Sequence, residues 1–171
     1  MGSAYSAVQE IFPEYMPPEI LIREATPGDI AEIIHHRQAM FEDMGVGDSS
    51  SLAAMLAASE PYLRRAISEG TFRGWLAVAA SGEIAGGGAV VISFSPPHPW
   101  DVGTRRASIL NLYTHPDFRR RGIARLLMQT MIEWCKREGF GSISLHASQF
   151  GRPLYAELGF QPTNEMRLKL K

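Results

Sequence analysis

The sequence predicts a single-domain α/β fold of the α+β kind, on three observations. The chain has 171 residues, 45% of them hydrophobic, which suits one core rather than two. Apolar residues recur with period two in some segments and at helical spacing in others, and the two kinds alternate along the chain. Ser81-Gly82 joins two adjacent period-two segments, which is a hairpin signal.

Residues 1–19 carry Pro13, Pro17 and Pro18 without sustained periodicity and read as an N-terminal extension, so the domain is assigned to 20–171. Ile20-Leu21-Ile22-Arg23 reads as a strand. Thr26-Pro27-Gly28-Asp29 reads as a helix start, with Thr26 as cap and Asp29 near the positive end. Ile30, Ile33, Ile34, Met40, Phe41 and Met44 follow at helical spacing, with Arg37 breaking the apolar stripe, and Gly45 and Gly47 stop the helix. A second helical region covers Leu52 to Ser68, and Pro61 is expected to split or kink it.

Phe72 to Ala80 and Glu83 to Phe94 read as β segments, with Gly86-Gly87-Gly88 marking either a bulge with close backbone approach or a weakened, bent strand. Pro96 to Asp101 is expected to be a loop, because proline has no amide hydrogen to give a sheet. Ser108 to Thr114 reads as a strand and Gly122 to Glu138 as a long helix stopped by Gly139. Ser142 to His146 reads as a strand and Pro153 to Leu158 as a short helix. Met166, Leu168 and Leu170 alternate with basic residues as a final strand.

The 17 basic and 18 acidic side chains give a net charge of −1, which provides no global attraction to nucleic acid or to an anionic membrane. One cysteine, Cys135, excludes an intramolecular disulfide and any multi-thiolate metal site, and it falls on an apolar helix face as a small core residue. His35 and His36 are adjacent on a helix and splay about 100° apart, so no metal is expected. No apolar run reaches the roughly 18 residues of a membrane span and the start lacks a secretory layout, so the expected compartment is the cytoplasm.

The chemistry concentrates at His115 to Leu127, HPDFRRRGIARLL. A strand ending at Thr114, a short loop and a helix opening at Gly122 gather unpaired amides and a positive helix dipole at one point. Gly122 has no Cβ and Ala124 is small, so a phosphate or diphosphate can come close, and Arg119 is the arginine expected to point inward. Neither the P-loop spacing nor the dinucleotide fingerprint occurs.

What remains, Arg119-x-x-Gly122-x-Ala124 after a strand and before an amphipathic helix, resembles the coenzyme A diphosphate signature of the GNAT superfamily of acetyl-CoA-dependent N-acetyltransferases. Leu154-Tyr155-Ala156-Glu157-Leu158-Gly159-Phe160 is similar to that family's Leu-Tyr-x-x-x-Gly-Phe segment. The two motifs span about the last third of the chain, and the order of elements agrees from Ile20 onward.

The resemblance implies a mixed, mostly antiparallel central sheet flanked by helices, and transfer of an acetyl group from acetyl-CoA to an amine of a small molecule or peptide. It implies that Leu112, Tyr113 and Thr114 offer backbone groups to the pantetheine arm, as a strand edge does to a peptide. The amides of Arg121, Gly122, Ile123 and Ala124 would hold the diphosphate, and Arg120 is either solvated or reaches the adenosine 3′-phosphate. Tyr155 would protonate the departing thiolate, downhill from a phenol near 10 to a thiol near 8.5.

Relatives often carry a Glu on a central strand as base, but Ser108 to Thr114 has no carboxylate; His146 is the best remaining candidate base, although the default for a His at a strand end is a hydrogen-bonded surface residue. Relatives also often carry an Asn that contacts pantetheine before the short helix. This chain has Ser148-Gln149-Phe150-Gly151, so Ser148 is the candidate substitute. Glu42, Asp43, Asp48 and the Pro96 to Asp101 loop fall where relatives shape the acceptor pocket, though the default for such charges is a solvated surface. Dimers are frequent in the family, so a homodimer is an expectation. A non-catalytic acyl-CoA-binding module of the same fold is the rival reading.

Overall fold

The computed structural model describes residues 20–99, 101–168 and 170 of the chain. The N-terminal extension expected at 1–19 lies outside them. Within them the strands are β1 (Ile20–Glu24), β2 (Phe72–Ala79), β3 (Ile84–Phe94), β4 (Arg105–Thr114) and β5 (Ile143–Leu145), and the helices are α1 (Ile30–Asp43), α2 (Ser49–Ser68), α3 (Ile123–Arg137) and α4 (Arg152–Glu157).

The strands form one sheet in chain order. β1–β2, β2–β3 and β3–β4 pair antiparallel and β4–β5 pair parallel, so the sheet is mixed and mostly antiparallel, as expected.

Helix α3 covers one face. Its period-3.6 stripe, Ile123, Leu126, Leu127, Met131 and Trp134, packs on Ile22, Trp75, Val90, Ala107 and Ile109 of the strands. Helices α1 and α2 supply a smaller cluster on Phe72 and Ala89, built from Ile30, Ile33, Leu63 and Ala66. Leu127, Met128 and Met131 are completely buried. Each such side chain contributes about 1.5–3 kcal/mol by leaving water. Cys135 lies in the α3 cluster, and burial pushes its thiol up to about 11, as suits a packing residue.

Local signals placed the ends of these elements. The Asp29 carboxylate accepts from the Thr26 amide at 2.7 Å and from the Thr26 hydroxyl at 2.8 Å, closing the turn before α1. Arg23 clamps the same carboxylate and holds it well below the usual carboxylate range. All four helices end at a left-handed glycine, Gly45, Gly70, Gly139 or Gly159.

Of the split or kink expected at Pro61, the split does not occur: α2 runs unbroken from Ser49 to Ser68. The amide that proline lacks would have bonded the carbonyl of exposed Ala57, which water can satisfy instead. The final strand at Met166, Leu168 and Leu170 does not form: these side chains are 95%, 81% and 86% exposed, and residues 161–168 pair with no strand. Period-two alternation specifies a strand only where one face is buried, and the adjacent β5 offers just three residues of edge.

The triple glycine of β3 is a site of close approach. A Cβ on Gly86 would stand 2.5 Å from the Tyr113 carbonyl oxygen, and one on Gly87 would stand 3.0 Å from His36 Nδ1. Opposite it, β4 bulges. The register passes from Gly87↔Tyr113 to Ala89↔Leu110, and Asn111 takes a left-handed φ of 56°. The bulge inverts the alternation of β4: Ala107 and Ile109 face α3 before it, and Leu112 does after it.

Among the described residues, no helix is long and apolar enough to cross a membrane, and no group of three or more His, Cys, Asp or Glu side chains is placed to hold a metal.

Candidate active site

The parallel β4–β5 ladder is short. It joins Ala107 to Ile143, Ser108 to Ser144 and Ile109 to Leu145, and there β5 ends. Beyond Ile109 the outer edge of β4, Leu110 to Thr114, has no partner strand among the described residues, and the opening begins next to the Asn111 bulge. A main-chain edge left bare in this way can pair with an extended ligand. Thr114 adds a second sign of a missing partner, because its Oγ1 is buried without a hydrogen bond among the described residues.

At the outer end of the opening the chain passes through a single 3₁₀ turn, Pro116–Phe118, and enters α3. Arg120 and Gly122 both take left-handed backbone conformations, with φ of 61° and 77°. This alternation turns successive amides toward one point. Among the described residues the amides of Arg121, Gly122, Ile123 and Ala124 have no main-chain acceptor, while that of Leu126 opens the helix ladder on the Gly122 carbonyl. The turn therefore offers converging N–H groups and the positive end of a 15-residue helix.

The cleft around these groups has a volume of ≈ 390 Å³. Of the residues expected from sequence to bind cofactor, Leu112, Tyr113, Thr114, Arg119, Arg120, Gly122, Ile123, Ala124, Ser148 and Tyr155 all line it. Arg121 contributes its amide to the turn, but its side chain does not line the cleft; the guanidinium lies 5.3 Å from the centre of the Phe118 ring. Arg119 donates from Nε to the Thr114 carbonyl at 3.0 Å and pairs with Asp43 at the end of α1.

Tyr155 comes from α4. Its ring stands at 6.1 Å, edge to face, from Phe160, which Gly159 turns back: the Phe160 amide bonds the Tyr155 carbonyl at 2.9 Å. This is the physical content of the Leu-Tyr-x-x-x-Gly-Phe segment. Gly151 leaves room for the phenol, since a Cβ there would meet the Tyr155 ring at 2.6 Å. Burial raises the Tyr155 hydroxyl above its ordinary value, so it carries its proton at neutral pH.

Ser148 accepts from the Gly151 amide at 3.2 Å, capping the approach to α4. His146 is placed elsewhere. It is exposed at the end of β5, does not line the cleft, and has Nε2 at 3.2 Å from the Arg167 guanidinium.

The structure adds Asp43, Arg125, Phe150, Gly151 and Leu154 to the lining. In the sequence Asp43 stood with Glu42 and Asp48 among the acidic residues where relatives shape the acceptor pocket, and nothing local marked it as the partner of Arg119. Arg125 pairs with Glu157, which ties α3 to α4 across the cleft wall. Under the floor, His36 is 3% exposed and lies against Tyr113, ring centres 5.0 Å apart and planes tilted by 38°. Burial pushes its imidazole down to about 4, helped by the nearby His35 and His115, so the ring is neutral and donates an N–H to Glu32 at 2.9 Å.

A sequence profile described as the Acetyltransferase (GNAT) family matches residues 35–160. Among solved structures, a GCN5-related N-acetyltransferase from Ralstonia eutropha JMP134 is 33% identical with a TM-score of 0.83, covering 88% of this chain and 98% of its own. A protein of Clostridium acetobutylicum, described as a predicted acetyltransferase and solved with acetyl-CoA, is 26% identical with a TM-score of 0.80, covering 89% of this chain and 96% of its own. No curated protein sequence matches. The turn of converging amides, the β4 edge and the half-buried Tyr155 thus lie in a chain that belongs to the GNAT acetyltransferase family.

Proposed function

We propose that the protein transfers the acetyl group of acetyl-CoA directly to a primary amine of a small molecule or peptide. The observation that supports this best is the presence in one cleft of an anion-binding turn at the start of α3 and a protonated phenol at Tyr155. The similar Clostridium structure was solved with acetyl-CoA, which supports the choice of cofactor.

Bound coenzyme A would supply an acyl group activated as a thioester. The residues present fit it: among the described residues Thr114 has a buried oxygen lacking a partner, and the amides of Gly122, Ile123 and Ala124 lack a main-chain acceptor. In this reading the amides and Arg119 hold anionic oxygens, the β4 edge aligns the arm, and Tyr155 Oη gives its proton to the departing thiolate.

Deprotonating the acceptor is the harder step. The carboxylate in the lining, Asp43, is engaged by Arg119, and His146 lies outside the lining. An amine of pKa about 10.4 is neutral in only about one molecule in 2,500 at pH 7, whereas one near 8 is neutral in about one in ten. The site therefore favours acceptors of lowered pKa, such as a peptide α-amine.

Two measurements test the proposal. Acetyl-CoA at a hundredfold excess over its Kd should stabilise the fold by about 2.7 kcal/mol. Thiol release across a panel of amines should then identify the acceptor. Stabilisation without thiol release from any amine, peptide N-terminus or aminoglycoside would favour the rival reading of a non-catalytic acyl-CoA-binding module.

A further inference from the structure

Arg37 stands on α1 where the apolar stripe is broken, and the structure shows where it goes. Nη1 donates to Asn111 Oδ1 at 2.7 Å, Nε approaches Met55 Sδ at 3.2 Å, and the Phe41 ring centre lies 5.1 Å from the guanidinium carbon. The side chain is half-buried, and burial lowers its pKa. Its hydrogen-bond partners are an amide and a thioether, both neutral.

The other partly buried arginines are handled differently. Arg23 sits on Asp29, Arg106 on Asp101 and Arg125 on Glu157. Among the described residues no carboxylate pairs with Arg37, and its Nη2 has no hydrogen-bond partner. A cation held away from water without a counter-charge is costly, and it becomes favourable when an anion arrives.

Its position tells which anion. Helix α1 lies along β4, with Arg37 on Asn111, His36 on Tyr113, and Asp43 on Arg119 beside the diphosphate turn. Six helical residues separate Arg37 from Asp43, a rise of about 9 Å. Arg37 therefore marks the inner end of the opening, at the bulge where β5 leaves β4, remote from the turn that would hold the diphosphate. Asn111 is followed directly by Leu112, which lines the cleft.

We propose that Arg37, presented at the Asn111 bulge, recognises an anionic group of the acceptor, so that the natural acceptors are amines carrying a carboxylate or a phosphate rather than neutral amines or polyamines. The proposal rests on the reading of the chain as an acetyl-CoA-dependent transferase to amines. The Met55 and Phe41 contacts give the same spot an apolar wall, which suits a short anion beside an apolar body.

The test uses acceptors paired with and without the anion, each rate referred to the neutral amine present: phenylalanine against phenethylamine for the carboxylate, and phosphoethanolamine against ethanolamine for the phosphate. Thiol release gives kcat/KM for each. Thermal stabilisation of the coenzyme A complex by N-acetylphenylalanine against N-acetylphenethylamine, and by phosphate against chloride, gives binding without turnover.

An anionic member should be preferred by roughly tenfold to hundredfold in turnover or binding, the range of one charge-assisted hydrogen bond, and the favoured pair says which anion is meant. Arg37→Met should bring the preference close to one while coenzyme A still stabilises the protein. Asn111→Asp, which supplies a counter-charge and keeps Arg37, should do the same, and it covers the case in which Arg37→Met fails to fold. Absence of any anionic preference in the wild type, or a preference left intact by the variants, overturns the proposal while the cofactor reading stands. Failure of coenzyme A to stabilise the wild type overturns both.

Discussion

Asp43 and Arg119 close an ion pair between the end of α1 and the turn that opens α3. Both side chains are nearly half exposed, and Arg119 also reaches the Thr114 carbonyl. Asp43 positions the guanidinium and also puts a negative charge beside the site expected to take a diphosphate.

Removing that charge should help the ligand. Asp43→Asn is expected to lower the Kd for acetyl-CoA by about threefold to tenfold at low salt, an effect that shrinks at high ionic strength, whereas Arg119→Ala should raise it. Calorimetric titration of the two variants decides this. An unchanged Kd in Asp43→Asn would show that the ion pair is only structural.

Tyr155→Phe keeps the ring that packs on Phe160 and loses only the hydroxyl. Turnover should fall by about a hundredfold or more, with the Kd for acetyl-CoA within about twofold of wild type. Equal losses in both would argue against an acid role.

Gly86 and Gly88 separate rigid neighbours from soft ones. A Cβ on Gly86 meets main chain, the Tyr113 oxygen at 2.5 Å, and one on Gly88 meets the Met131 methyl at 2.8 Å. Backbone in a paired sheet cannot move aside without breaking the ladder, but a thioether can turn. Gly86→Ala should cost about 2–3 kcal/mol and Gly88→Ala about 1 kcal/mol in urea unfolding, and the reverse order would contradict this account.

His36 makes stability depend on acid. Its folded pKa of about 4 lies below the ordinary 6.5, so between these values the unfolded chain binds more protons than the folded one. Stability is therefore expected to be full above about pH 6.5 and to decline as the pH falls toward 4, by about 3 kcal/mol in all. His36→Gln, neutral throughout, should flatten this limb of a plot of urea midpoint against pH. If the variant kept the same slope, the effect would belong to other groups.

The arginine turn and the tyrosine segment were legible because each is local. Gly122 at the N-cap of α3 and Gly159 past the end of α4 are positions where a backbone angle selects the residue type, and the angle is fixed by a few neighbours. Asn111 was not legible. Nothing in Leu110-Asn111-Leu112 announces a bulge, because a bulge is a mismatch between two strands, and its partner here is Gly87 to Ala89. The continuity of α2 through Pro61 depended on which face met solvent, and the lack of a final strand at Met166 and Leu168 depended on how short β5 is.

By itself the sequence determined the order of the helices and the glycines that stop them, the turn geometry at Gly122 and the family. These depend on contacts within about one helical turn, where bonding geometry leaves few choices. Only the tertiary structure decided that Arg37 lies on Asn111, Asp43 on Arg119 and His36 on Tyr113, and that His146 stays outside the cleft. Those meetings depend on the register of β4 against β3, and a single extra residue in one strand turns the side chains beyond it to the other face.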